Sequence, residues 1–243
     1  MRIGFYLPII QYIGGAEKIA FLLAKRFNGK IYTSYFRKDI NNYLPGIKNY
    51  IVDISRKKKN RPPSLISVIK DYMLFKPNEN IIVYCNPHTI FLHLFHPSKK
   101  YAMYITSIPH YLYLEKEIHE KYFGKMGKLK EFDRLIWRFF MRNLIRPKNV
   151  ICISKTTAEN LKKIAPFLQT KVIYPPMDLC DFKEGNFEDY YLSVTRFVPY
   201  KRVDWQIDAF KRSHEKLVIV GNGPLAEEYK KIIKDFPDRK SVV

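Results

Sequence analysis

The sequence predicts an α/β protein: a parallel-sheet, Rossmann-type N-terminal domain, then an incomplete second domain of the same type. Three observations carry this. Short apolar runs alternate with longer segments of helical period, the alternation breaks at Pro175-Pro176, and it restarts at Tyr190. Strands alternating with helices of this length build a parallel sheet with crossover helices on its faces.

Taken in order, the expected strands of the first domain are Ile3 to Leu7, Lys30 to Thr33, Tyr50 to Asp53, Ile81 to Cys85, Tyr101 to Ile105, Val150 to Ile153 and Val172 to Tyr174. The expected helices are Ala16 to Phe27, Leu65 to Phe75, Thr89 to Phe95, Phe132 to Ile145 and Thr157 to Ile164. Within the fourth of these, Phe132, Leu135, Ile136, Phe139, Phe140 and Leu144 form an apolar stripe that reads as a core face. The first domain then covers residues 1–175, with a linker over 176–189. In 190–243 the pattern gives strand Tyr190 to Val194, helix Val203 to Arg212, strand Lys216 to Val220 and helix Leu225 to Lys234. Two strands and two helices do not bury a doubly wound sheet. The closing Lys240-Ser241-Val242-Val243 reads as the opening of another strand.

Bulk properties limit the function classes. Of the 243 residues 47% are hydrophobic and 15% aromatic, which excludes a disordered chain. A net charge of +20 favours anionic partners, whether nucleic acid, anionic lipid headgroups or phosphorylated substrates. No nucleic-acid motif accompanies the charge. The cysteines Cys85, Cys152 and Cys180 are odd in number and widely spaced, so no disulfide framework is implied and a reducing cytoplasm fits best. The first residues lack the apolar region of a signal peptide, and no stretch nears the 18 or so apolar residues of a bilayer span. The expectation is a cytoplasmic protein, soluble or peripheral at a membrane.

Two places have the residue types for binding phosphate. Gly14-Gly15-Ala16-Glu17 follows the first strand and opens a helix, where paired glycines permit close backbone approach and unpaired N–H groups face a ligand. A purely structural turn is the alternative, and the dinucleotide spacing G-x-G-x-x-G is absent. Arg196 and Lys201 come just after the strand Tyr190 to Val194, beyond the carboxyl end where parallel α/β sheets place their ligands. A guanidinium fork and a point charge five residues apart suit a diphosphate, although two solvated cations would look the same. Gly221-Asn222-Gly223-Pro224 closes the next strand with a flexible turn on the same side.

These pieces occur in order with Cys152-Ile153-Ser154-Lys155-Thr156-Thr157-Ala158, Val172-Ile173-Tyr174-Pro175-Pro176-Met177-Asp178 and Ser193-Val194-Thr195-Arg196-Phe197-Val198-Pro199-Tyr200-Lys201-Arg202, ahead of Val218-Ile219-Val220-Gly221-Asn222-Gly223-Pro224. Together they resemble glycosyltransferase family 4, the retaining, metal-independent enzymes of GT-B fold. The resemblance implies a hexosyltransferase whose N-terminal domain takes a sugar or lipid-linked acceptor and whose C-terminal domain takes a nucleotide-sugar, with no cofactor beyond that donor substrate. It places Arg196 and Lys201 on the departing diphosphate, and Gly14, Gly15, Ser154, Gly221 and Gly223 among the substrate contacts. No Asp-x-Asp occurs, in line with cations replacing a metal ion.

The chain departs from the family pattern twice. Where members carry a histidine in a loop of the type His-Thr-Pro-Pro-Arg-Tyr-Leu, this chain reads Thr106-Ser107-Ile108-Pro109-His110-Tyr111-Leu112. Thr106 takes the histidine position as a substrate contact, and His110 becomes the candidate catalytic base. The family's donor-binding segment with two glutamates has no match in the sequence, so the chain reads either as the hexosyltransferase itself or as the acceptor-binding part of one that a second polypeptide completes. The rival reading is a non-catalytic sugar-phosphate or polyanion-binding protein derived from such an enzyme.

Two further constellations are weighed. Cys85, His88, His93 and His96 lie within twelve residues, but their spacing matches no standard zinc pattern, and no metal site is expected. Arg134, Arg138 and Arg142 recur at four-residue spacing, and Arg56-Lys57-Lys58-Lys59-Asn60-Arg61 is a second basic run. Either can be a solvated face or a contact to an anionic membrane surface.

Overall fold

The computed structural model describes residues 2–11, 13–56, 60–85, 87–97, 100–114, 116–123, 127, 131–132, 135–137, 139, 142, 149–179, 185–186, 188–213, 215–234 and 240–242. The chain divides into two compact units, Met1–Lys116 with Met126–Leu179, and Glu117–Lys125 with Cys180–Val243.

Unit 1 is built on a seven-stranded parallel sheet in the order β5-β3-β1-β6-β7-β8-β9. Its strands are β1 (Ile3–Tyr6), β3 (Lys30–Thr33), β5 (Ile51–Asp53), β6 (Ile81–Tyr84), β7 (Lys100–Ile105), β8 (Val150–Cys152) and β9 (Thr170–Val172). The helices are α1 (Gly15–Phe27), α2 (Ile40–Tyr43), α3 (Leu65–Leu74), α4 (His110–Tyr113), α5 (Lys116–Phe123, all but its first residue in unit 2) and α6 (Lys155–Ile164). A 3-10 segment, Pro87–Phe95, replaces the α-helix expected at Thr89 to Phe95. Two-residue strands β2 (Ile9–Ile10) and β4 (Tyr35–Phe36) pair in a small parallel sheet that is too short to show a period in sequence.

All four residues of β1 are buried, as a central strand covered on both faces requires. Alternation along the strands sorts the core into two layers. Tyr6, Ile82, Tyr84, Met103 and Ile105 pack with Val68 and Tyr72 of α3 and with Trp137. Phe5 and Ile31 pack with Ala20, Phe21 and Ala24 of α1 on the other face. The chain runs from β1 outward to β3 and β5, then returns to place β6 on the other side of β1. The reversal of strand order therefore lies between β1 and β6, the position at which open α/β sheets form a ligand crevice.

Two expectations need correction. The last strand lies two residues earlier than expected, because Thr170 pairs with Val150 and Val172 with Cys152. Ile173, beyond the ladder, donates its amide to the Cys152 carbonyl (3.0 Å), and Tyr174 is exposed. Of the apolar stripe expected on the fourth helix, Phe132, Leu135 and Phe139 are 60%, 65% and 58% exposed and Ile136 is half-buried, whereas Trp137, outside the stripe, is fully buried. Trp137 sits about half a turn from those three at 3.6 residues per turn. Phe140 and Leu144 lie outside the described residues.

Unit 2 holds a three-stranded parallel sheet, β10 (Tyr191–Val194), β11 (Leu217–Val220) and β12 (Lys240–Val242), in that order, with Leu192↔Val218 and Val218↔Ser241 in register. Helices α7 (Val203–Lys211) and α8 (Ala226–Lys234) complete it. Phe197, Val203, Ile207, Leu217, Ile219, Tyr229 and Ile233 form its core. β10 is an edge strand within this sheet, and its Tyr191, Leu192 and Val194 are exposed. Among the described residues, no helix is long and apolar enough to cross a membrane.

Candidate functional site

Each unit gathers some of the expected residues at the carboxyl edge of its own parallel sheet. In unit 1 this happens at the reversal between β1 and β6. Gly14 is the extended N-cap of α1, and its amide donates to Glu17 Oε2 at 2.9 Å. Gly15 is the first helical residue, and no atom lies within 4 Å of the position a Cβ would take there. The space beside Gly15 is open, at a helix end whose first N–H groups have no intrahelical acceptor.

Burial, and then the Glu17 carboxylate, push the Cys85 thiol up to about 12, so Cys85 is a neutral packing residue. Thr106, the residue after β7, donates its hydroxyl to the Cys85 carbonyl at 3.4 Å. Hydrogen bonds thus join Gly14 to Glu17 and Thr106 to Cys85. Sequence reasoning assigned no role to Glu17. Its signal was the G-x-x-E spacing of a capping box, in which the third helical residue reaches back to the N-cap amide.

Ser154 and His110 also follow strands of this sheet. Ser154 is the N-cap of α6: its hydroxyl oxygen accepts from the Thr157 amide at 3.1 Å, which accounts for a serine there without a ligand. His110 opens α4, half-buried, with its ring edge-on to Tyr113 at 5.9 Å between centroids. α4 packs on α6.

In unit 2 the loops after β10 and β11 are clamped backbone to backbone. The Thr195 amide donates to the Val220 carbonyl (3.0 Å), the Phe197 amide to Asn222 (2.9 Å), and the Leu225 amide to Phe197 (3.2 Å). A Cβ on Gly221 would lie 1.8 Å from the Thr195 carbonyl oxygen, and one on Gly223 would lie 2.4 Å from that of Phe197. Both glycines are therefore demanded by loop-on-loop packing. Phe197 is buried while its neighbour Arg196 is exposed, so the clamp turns the guanidinium outward at the strand end. A 3-10 turn, Pro199–Lys201, follows and presents Lys201, also exposed.

Arg202, the next residue, is differently employed. It adopts φ 51°, ψ 43°, bonds Asp204 at 2.6 Å and stacks over Trp205 at 4.0 Å from the ring centre. Its charge is committed to α7; Lys201, before it, lies over the Tyr200 ring at 5.8 Å from the centroid.

The histidines that the metal reading considered are placed in the core. His96 Nε2 lies 3.2 Å from the Tyr72 carbonyl, and the His93 ring lies 3.8 Å from that of Tyr101. No group of three or more His, Cys, Asp or Glu able to hold a metal is present among the described residues; the His88 side chain lies outside them.

No protein-family model and no curated protein matches the chain. Solved structures do. Anabaena Alr3699/HepE in complex with UDP-glucose superposes on all of this chain and 68% of its own, with a TM-score of 0.71 at 14% identity. The fold is GT-B. The lipopolysaccharide outer core galactosyltransferase WaaB (apo form) matches all of this chain and 67% of its own, at TM-score 0.58 and 16% identity. A UDP-N-acetylglucosamine 2-epimerase matches all of this chain and 68% of its own, at 0.53 and 9%. GT-B architecture thus supports more than one chemistry on nucleotide-sugars, and the activity has to be argued from the site.

Proposed function

We infer that the protein is a hexosyltransferase, taking a sugar from a nucleotide-sugar to a sugar or lipid-linked acceptor with retention at the anomeric carbon and without a metal ion. The observation that carries this is the exposed Arg196–Lys201 pair, held at the carboxyl edge of the unit 2 sheet by a glycine clamp. HepE, of the same fold, binds UDP-glucose, which supports a nucleotide-sugar as the donor.

Unit 2 would take the donor and unit 1 the acceptor. For retention, the bond to the diphosphate breaks first, the nucleoside diphosphate leaving with the electron pair, and the acceptor oxygen bonds to the anomeric carbon on that same face. Arg196 and Lys201 stabilise that charge, an effect worth a factor of about 100 to 1000 per fixed donor. His110 receives the acceptor proton.

The test is incubation with UDP-, GDP- and ADP-sugars and acceptor mixtures, read by mass spectrometry and by NMR of the product anomer, with and without chelator. Retained configuration and indifference to chelator are expected. Tight binding of nucleoside diphosphates with no transfer, even with a completing polypeptide, would instead favour the non-catalytic reading.

A further inference from the structure

Arg202 stands in a backbone conformation that glycine adopts freely and arginine does not. Among the described residues two that are not glycine take positive φ, Asn28 and Arg202. Asparagine tolerates that region, whereas a long side chain there is strained, and strain of this kind collects at functional sites. At φ 51°, ψ 43° Arg202 ends the 3-10 turn Pro199–Lys201 and serves as the N-cap of α7. Its amide donates to the Pro199 carbonyl at 3.2 Å, and its own carbonyl accepts from the Trp205 amide at 3.2 Å. Glycine would make the same turn without strain, so the arginine side chain is what the position has to offer.

That side chain is incompletely bonded where it lies. Its Nη2 bonds Asp204 at 2.6 Å, and its Cζ stands 4.0 Å from the centre of the Trp205 ring. Nε is buried without a hydrogen-bond partner among the described residues, and so is Oε1 of Gln206, one turn along α7. A buried donor and a buried acceptor left unpaired disfavour this arrangement relative to one that frees them. The contact to Asp204 is a surface ion pair, its side chains 40% and 45% exposed, and such pairs add little. Arg202 is thus weakly held, directly after Lys201 in the loop that also bears Arg196.

We propose that Arg202 is a third cation of the diphosphate site: a nucleoside diphosphate draws its guanidinium from Asp204 and Trp205 onto the phosphates. The inference rests on the reading of Arg196 and Lys201 as diphosphate ligands. A diphosphate presents the same paired oxygens as a carboxylate and carries more charge, so it competes with Asp204 for the guanidinium. The exchange needs only the side chain to turn, because the backbone bonds of Arg202 to Pro199 and Trp205 stay as they are.

The experiment combines UDP calorimetry, melting curves and acrylamide quenching of tryptophan emission. Arg202→Gly is expected to melt at or above the wild type, since glycine suits the backbone, yet to bind UDP about tenfold more weakly. Asp204→Asn is expected to tighten UDP binding by up to about fivefold, as much as an exposed ion pair contributes. Added to Arg202→Gly, the same substitution is expected to change nothing, whereas simple removal of a nearby negative charge would help in both backgrounds. UDP is expected to open Trp205 to acrylamide as the guanidinium leaves its ring, a change that Trp205→Phe abolishes. Trp137, the other tryptophan, is fully buried and gives a constant background. Should Arg202→Gly melt lower, the UDP-dependent quenching of the wild type decides by itself. Wild-type affinity in Arg202→Gly, or quenching that ignores bound UDP, would overturn this inference and leave the roles of Arg196 and Lys201 standing. A wild type that binds neither UDP nor GDP would overturn both.

Discussion

The carbonyl oxygen of Thr195 occupies the space into which a side chain on Gly221 would project, 1.8 Å from the position of its Cβ. Contact this close is possible only for glycine, and it joins the loop bearing Arg196 to the loop after β11. Gly221→Ala is expected to lower stability by about 3 kcal/mol, the upper range for overpacking a closed site. The drop in melting temperature should be accompanied by weaker nucleotide binding. An alanine variant that melts and binds as the wild type does would disprove the clamp.

The cation pair makes a separate prediction. Arg196→Ala is expected to weaken UDP or GDP binding by about 1.5 to 3 kcal/mol, the scale of a hydrogen bond to a charged group. Lys201→Ala is expected to act in the same direction. Both residues are exposed, so melting temperature should stay unchanged. Calorimetric affinities equal to the wild type would remove the pair from the site.

Gly15 permits a sharper separation of structure from function. Its backbone does not have positive φ, and nothing lies within 4 Å of a Cβ placed there. Gly15→Ala is therefore expected to leave stability unchanged or raise it by about 0.5 to 1 kcal/mol. If a ligand approaches this backbone closely, transfer falls all the same. Full activity together with raised stability would make the turn purely structural.

His93 gives a pH dependence. Burial, and then the nearby His96, hold its imidazole below the usual histidine range. The neutral form is favoured in the fold while the unfolded chain protonates near pH 6.5, so the unfolded state binds more protons below that pH. Stability from this group is complete above about pH 6.5 and is lost as pH falls toward the folded-state value, at no more than about 1.4 kcal/mol per pH unit. His93→Gln is expected to flatten the acid limb of a melting-temperature profile, and an unchanged limb would exclude His93 as its origin.

The sequence by itself determined the alternation of strands and helices, because the buried strands are short apolar runs and the helices keep their period. It also located the turns at Gly14-Gly15 and Gly221-Asn222-Gly223, since few other residues serve where backbone must come close. It left open what comes close. At Gly221 and Gly223 the neighbour is the other loop's own backbone, whereas at Gly15 the space is open, and only the three-dimensional arrangement tells these apart.

Tertiary structure also decided which side of a helix is inside. Periodicity places Phe132, Leu135 and Phe139 on one face, but burial depends on what packs against that face. Here the core receives Trp137, and Phe132, Leu135 and Phe139 are left exposed. The same holds for His93 and His96, which look like ligands in a row of letters and are core residues once Tyr101 and Tyr72 are set beside them. Local pattern fixes the direction of side chains along an element; contacts between residues distant in sequence fix what those side chains meet.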